Sequence, residues 1–126
     1  MNIITTSSFL PAVRNMDLMK GKTYVGIDFG TSTTVVSIAS YDENSNLIHT
    51  ESLRLKQKLP DGTIYSSEII PSVIAWLNQQ IIVGEGAYQL KYQLKRGKNI
   101  WYSFKMELGE DLGAKYYESE LRDIPP

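Results

Sequence analysis

Between Lys22 and Lys56 apolar side chains fall in three short strand-like runs, and in the first two they follow a period of two, that of a β-strand and not of a helix. Val25 and Ile27 alternate with Tyr24 and Gly26, which predicts a strand over Thr23 to Asp28. Val35, Ser37 and Ala39 alternate with Val36 and Ile38, predicting a second strand over Thr33 to Ala39. Both of its faces are largely apolar, so burial on both sides is expected. A third strand is predicted over Leu47 to Leu55. Gly30 to Thr33 and the run DENSN, Asp42 to Asn46, have turn composition, so the three strands form an antiparallel meander.

The pattern then changes. Lys56 to Ser67 reads as a polar connection that turns at Pro60, Asp61 and Gly62. Ile70 to Leu77 and Ile81 to Val83 are apolar runs around Asn78, Gln79 and Gln80, a hairpin signal. Pro71 lacks an N–H and must sit at a strand start or edge. After Gly84 the period lengthens. Ala87, Leu90 and Leu94 share a helical face, with Lys95 and Arg96 before a stop at Gly97, predicting a helix over Glu85 to Arg96. Ile100, Trp101, Phe104 and Leu108 predict a second helix, capped by Asn99 and ended by Gly109. Residues 1–22 show no period and read as a disordered leader, 23–56 as the meander, and 57–126 as a smaller, truncated subdomain of hairpin and helices. The fold class is α+β.

Composition narrows the function. At 126 residues the chain is one domain's worth, with 42% apolar and 21% charged residues, as in ordinary globular proteins. Thirteen basic residues against fourteen acidic give a net charge of −1, so the total points to neither nucleic acid nor a membrane surface. The absence of cysteine excludes disulfides, thiolate metal sites and cysteine catalysis, and a single histidine, His49, leaves no histidine cluster for a metal. With no basic leader and no long apolar run, no membrane segment is read and the expected compartment is the cytoplasm. Lys91, Lys95, Arg96 and Lys98 lie near Tyr92 and Trp101, a nucleic-acid-like stripe. Because Glu107, Glu110, Asp111, Glu118, Glu120 and Asp123 follow, a solvated face is the expected reading. Gly84 and Gly86 open like a dinucleotide fingerprint, but Gln89 stands where its third glycine belongs.

The candidate chemistry lies at the first turn. Consecutive backbone N–H groups in a glycine-containing turn form a concavity for an anion, and Thr31, Ser32 and Thr33 add hydroxyls. Asp28 repels phosphate, yet a carboxylate suits the water shell of a Mg²⁺ ion travelling with phosphates. Acid, glycine and hydroxyls together make a metal–nucleotide site. The plainer alternative is a strand-end Asp that caps its own turn.

The segment GIDFGTSTTVV, Gly26 to Val36, resembles the first phosphate-binding hairpin of the actin-like ATPase superfamily. IIPSVIAW (Ile69 to Trp76), VGEGAYQL (Val83 to Leu90) and KMELG (Lys105 to Gly109) follow in an order and spacing similar to the heat-shock protein 70 family, the DnaK-type chaperones. The resemblance spans Lys22 to Gly109. It implies the start of an actin-like (ribonuclease H-like) ATPase domain that binds ATP or ADP with Mg²⁺. Asp28 would hold water on the metal, Gly30 would admit the phosphates to the backbone, Thr31 and Ser32 would contact the β- and γ-phosphate region, and Thr33 would contribute its backbone. Lys105 would be structural.

One departure bears on activity. Tyr88 occupies the place of the family's lysine that reaches the γ-phosphate, and a neutral phenol does not supply that charge. Lys91, three residues on, shares the helical face but reads as a solvated surface lysine. The family's second phosphate loop, adenosine pocket and peptide-binding domain have no counterpart in this sequence. The resemblance therefore implies nucleotide binding with little or no hydrolysis by this chain, no confident catalytic residue, and client or co-chaperone partners for a longer parent. Two alternatives stand beside it: a non-catalytic interaction module of the same fold, which Tyr88 favours, and a fragment of a sugar-kinase-type phosphotransferase, which IIPSVIAW and VGEGAYQL disfavour. An open edge at Leu47 to Leu55 and exposed Trp76, Trp101, Phe104, Tyr116 and Tyr117 predict self-association.

Overall fold

The computed structural model describes residues 2–5 and 20–122. Most of the expected leader, and the tail from Asp123, lie outside the described residues. The chain divides into two compact units, Met1–Asp28 with Val35–Leu53, and Phe29–Thr34 with Arg54–Pro126. The architecture is mostly antiparallel sheet with short helices, a mixed α+β fold.

In the first unit β1 (Asn2–Thr5), β2 (Thr23–Phe29), β3 (Thr33–Asp42) and β4 (Leu47–Ser52) form a sheet in the order β1-β4-β3-β2. β3 and β4 run antiparallel from Ser37 opposite Ser52 to Asp42 opposite Leu47. Their turn is held by Asp42, whose Oδ1 accepts the Asn44 N–H at 2.9 Å and whose Oδ2 accepts the Ser45 hydroxyl at 2.6 Å. Two expectations need correction. The edge at Leu47 is not open, because β1 pairs along it, with Ile3 opposite His49. Nor is β3 buried on both faces: it is half-buried along most of its length, and Ile48 is the single buried apolar residue among those described in this unit. A strand apolar on two faces is fully buried only between two packed layers.

The second unit is built on a small sheet of β8 (Val73–Leu77), β9 (Gln80–Val83) and β10 (Ile100–Tyr102), in the order β10-β8-β9. The predicted hairpin is β8–β9, closed by Asn78 and Gln79 at φ 51° and 60°, the left-handed pair a two-residue I′ turn requires. Gln80 belongs to the strand and not to the turn. On one face Val73, Ala75 and Ile100 are buried against Ala87 and Leu90, with Leu77, Ile82, Leu94 and Tyr102 around them. This is the core of the unit.

Three elements differ from expectation. Where a polar connection was expected, β5 (Leu55–Lys58) and β6 (Ile64–Ser67) make a second hairpin. The predicted turn closes it, with the Thr63 N–H and hydroxyl both donating to Asp61 Oδ1. Gln57 is buried between exposed Lys56 and Lys58, so a period of two is present but carried by polar residues. The first helix, α1, spans only Glu85–Gln89 and gives way to turns, in place of a helix to Arg96. Asn99 closes those turns: its Oδ1 accepts the Lys95 N–H at 2.9 Å and its own N–H donates to Lys95 O. The second predicted helix is absent. Ile100, Trp101 and Tyr102 pair with Ala75, Ile74 and Val73, Ser103 turns at φ 54°, and Lys105–Glu107 is a short 3₁₀ turn before α2 (Leu112–Lys115). Ile-Trp-Tyr is a strand-forming run, and pairing with β8 decides the outcome over local periodicity. Trp101 is consequently buried, and Tyr117, at 69%, is the exposed member of the aromatic set.

Candidate functional site

Gly30 to Thr33 form a tight turn within the second unit. The Gly30 N–H donates to Thr33 O at 2.9 Å. A Cβ at Gly30 would lie 2.4 Å from that oxygen, so the backbone closes only around glycine. The turn is clasped by a two-residue strand, β7 (Ile70–Pro71), and by Ser72 beyond it. Pro71 and Ile70 sit opposite Thr33 and Thr34, which gives Pro71 the edge position its missing N–H demands. The Ser72 N–H donates to Ser32 O at 2.8 Å, and its hydroxyl donates to Gly30 O at 2.9 Å. That hydroxyl has one proton, so the Thr34 hydroxyl is the donor in its 2.9 Å contact with Ser72 Oγ. Phe29 anchors the entry, its ring 6.1 Å from that of Phe104.

The outcome is a hydrogen-bonded inner rim and an unbonded outer one. Thr31, Ser32 and Thr33 are exposed, and among the described residues their hydroxyls have no hydrogen-bond partner. Ser72 is the residue that sequence reasoning missed. The signal was present, a buried-strand motif with Pro then Ser before it, but the bond it makes spans 42 residues.

Asp28 lies near the end of β2 and is exposed. Among the described residues no group of three or more His, Cys, Asp or Glu side chains gathers to cage a bare metal ion. Mg²⁺ commonly keeps several waters and takes one or two carboxylates, so a single exposed Asp is of the right kind for a hydrated ion.

Tyr88 lies on α1, half exposed at 48%. The start of that helix is fixed by Gln57, whose Oε1 accepts the Glu85 N–H at 2.8 Å while its Nε2 donates to Ile69 O at 3.3 Å. Gly84 and Gly86 make this approach possible. A Cβ at Gly84 would meet Gln57 Oε1 at 2.2 Å, and one at Gly86 would meet Lys58 O at 2.0 Å. The GEG run is thus a close-packing device between β5 and α1. α1 also packs on β7, so the helix of Tyr88 and the clasped turn have a neighbour in common.

Lys91 is not simply solvated. Its ammonium sits 4.3 Å from the Tyr102 ring centroid and 5.7 Å from that of Tyr88, within cation–π range. The rest of the basic stripe is matched by acids: Lys95 with Glu118, Lys98 with Glu120 at 3.8 Å, and Arg96 with Glu107 at 3.6 Å. Glu107 also binds Lys115 at 2.6 Å and accepts the Tyr116 hydroxyl. The Lys115 bond, then the Tyr116 bond, holds the Glu107 carboxyl below its ordinary value. Three of the stripe's four cations are thus paired with acids, and the fourth, Lys91, lies over phenol rings. Lys105 is exposed at the start of the 3₁₀ turn.

No family profile, curated protein or solved structure matches this chain. Among the described residues no helix is long and apolar enough to cross a membrane.

Proposed function

We propose that this chain is the nucleotide-binding N-terminal part of a DnaK-type chaperone ATPase, with the start of an actin-like domain, acting in the cytoplasm. The observation that carries the reading is the clasped turn: a glycine that admits no side chain, held from behind by Ser72, with three hydroxyls facing out. Backbone N–H groups and these hydroxyls suit the phosphates of ATP or ADP, and Asp28 suits the water shell of the accompanying Mg²⁺. The chain binds nucleotide weakly and turns it over little or not at all, since Tyr88 brings no charge to the γ-phosphate. In a longer parent, client or co-chaperone proteins are its partners; alone, it self-associates.

Calorimetric titration with Mg–ATP tests this. Weak binding is expected, on the order of millimolar, because one hairpin must offset an association cost of several kcal/mol. Gly30→Ala, which forces the turn open, should abolish it. No binding by the folded chain at several millimolar nucleotide would sink the reading. Robust phosphate release that depends on Asp28 would overturn the claim of little turnover. The second reading, a non-catalytic interaction module, is favoured by Tyr88 and Lys91 together, since the ammonium is engaged with two phenol rings. It predicts the same fold without nucleotide binding.

A further inference from the structure

The outer face of the β10-β8-β9 sheet carries a cavity that the nucleotide reading does not use. Ile74 and Trp101, opposite each other in register, form its floor. Phe104, Leu112 and Tyr116 come from the segment that follows β10, and together they border an open groove of about 330 Å³. That volume is at the lower end of small-molecule sites, which are mostly apolar with a few placed polar groups. Here the placed groups are Ser119, whose Oγ accepts the Leu121 N–H at 3.2 Å, and the charged Arg122, exposed at the lining. Lys95, Arg96, Lys98 and Lys115 of this unit each have an acid in an ion pair, while Lys105, next to Phe104 in the chain, is exposed and has no acid among the described residues. Among the described residues Arg122 has none.

We propose that this cavity binds a planar aromatic anion, a carboxylate or sulfonate on a one- or two-ring system. The ring lies among Trp101, Phe104 and Tyr116, where flat apolar surface is recovered. The anion meets Arg122, whose planar fork matches a carboxylate with two parallel N–H···O bonds. An uncharged apolar guest leaves that guanidinium unused, and a cation is repelled by it. The site is separate from the turn, so it stands whether or not the chain binds nucleotide.

The chain's two tryptophans provide the test. Trp101 lines the cavity and Trp76 does not. The ¹⁵N-labelled chain is titrated with 2-naphthoate at low ionic strength, following both indole N–H signals. The Trp101 signal should shift and saturate while that of Trp76 stays. Arg122→Gln removes an exposed charge and should leave the fold intact. It should weaken 2-naphthoate about five- to tenfold, the scale of one partly solvated charge-assisted pair. The neutral amide, naphthalene-2-carboxamide, should bind both forms equally. Three results would overturn the proposal: no shift at millimolar naphthoate, both indoles shifting together, or the same affinity in Arg122→Gln. Occupancy that falls as protein concentration rises would assign the cavity to a second copy instead, and overturn it as well.

Discussion

Ser72 shows how much a single hydroxyl can organise. It is buried, it donates to Gly30 O, it accepts from Thr34, and its N–H holds Ser32 O. Ser72→Ala keeps the backbone bond and loses both side-chain bonds, which should cost about 1–2 kcal/mol in urea unfolding. Gly86→Ala should cost more, about 3 kcal/mol, because the new Cβ meets the Lys58 carbonyl at 2.0 Å and backbone yields less than a side chain. Glu107 adds a pH dependence. Its folded carboxyl is held below the ordinary 4.5 by Lys115, then by Tyr116. The stability from these bonds is therefore complete above the unfolded value and lost as pH falls through 4.5 and below. The unfolding midpoint should drop from pH 5 to pH 3, and Glu107→Gln should flatten that drop. Asp42, Asp61 and Glu118 are lowered too, so the slope should shrink without vanishing. At this scale the turn was legible from Gly30 and its hydroxyls, because those residues are adjacent. Ser72 and the Glu107 cluster were not, because their partners are distant in sequence.

Elements were legible where the pattern was local and carried by apolar side chains. The strands β2 and β3 follow from alternation, β4 lies within the predicted strand Leu47 to Leu55, and β8 and β9 follow from two apolar runs around Asn78, Gln79 and Gln80, of which Asn78 and Gln79 make the turn. Ile100 to Leu108 was misread because Ile100, Trp101, Phe104 and Leu108 also satisfy a helical period. What the pattern does not contain is β8, whose free edge takes Ile100 to Tyr102 as a strand. The two readings differ in what they bury. A helix would bury Ile100 and Leu108 together, whereas the structure buries Ile100 completely and leaves Leu108 54% exposed. Ile100→Ala should cost about 2–5 kcal/mol, while Leu108→Ala should stay near ±0.5 kcal/mol. Equal losses at both positions would restore the helix. α1 was overextended for a related reason. Leu94 does join the core as the helical face requires, but it does so from a turn, since Asn99 bonds back to Lys95.

At the scale of the whole molecule the question is which surface seeks a partner. The sequence pointed to Leu47 to Leu55 as the open edge, and β1 pairs along its Leu47 to Thr50 part, which no alternation in residues 2–5 announced. Among the described residues β2 is now the end strand of its sheet. Its Val25 and Ile27 are 64% and 65% exposed, an apolar pair that no other element covers among the described residues. An end strand with exposed β-branched residues is a template for another strand, and a net charge of −1 gives copies little reason to repel. Sedimentation at rising concentration should therefore show a shift from monomer to dimer or larger species. Ile27→Lys puts a charge on that strand and should return the chain to monomer. Ile81→Lys, at a site of similar exposure (59%) on β9 in the other unit, should leave association as it was. A chain that stays monomeric at high concentration would show that β2 is already satisfied. Loss of association with Ile81→Lys alone would move the contact to the second unit.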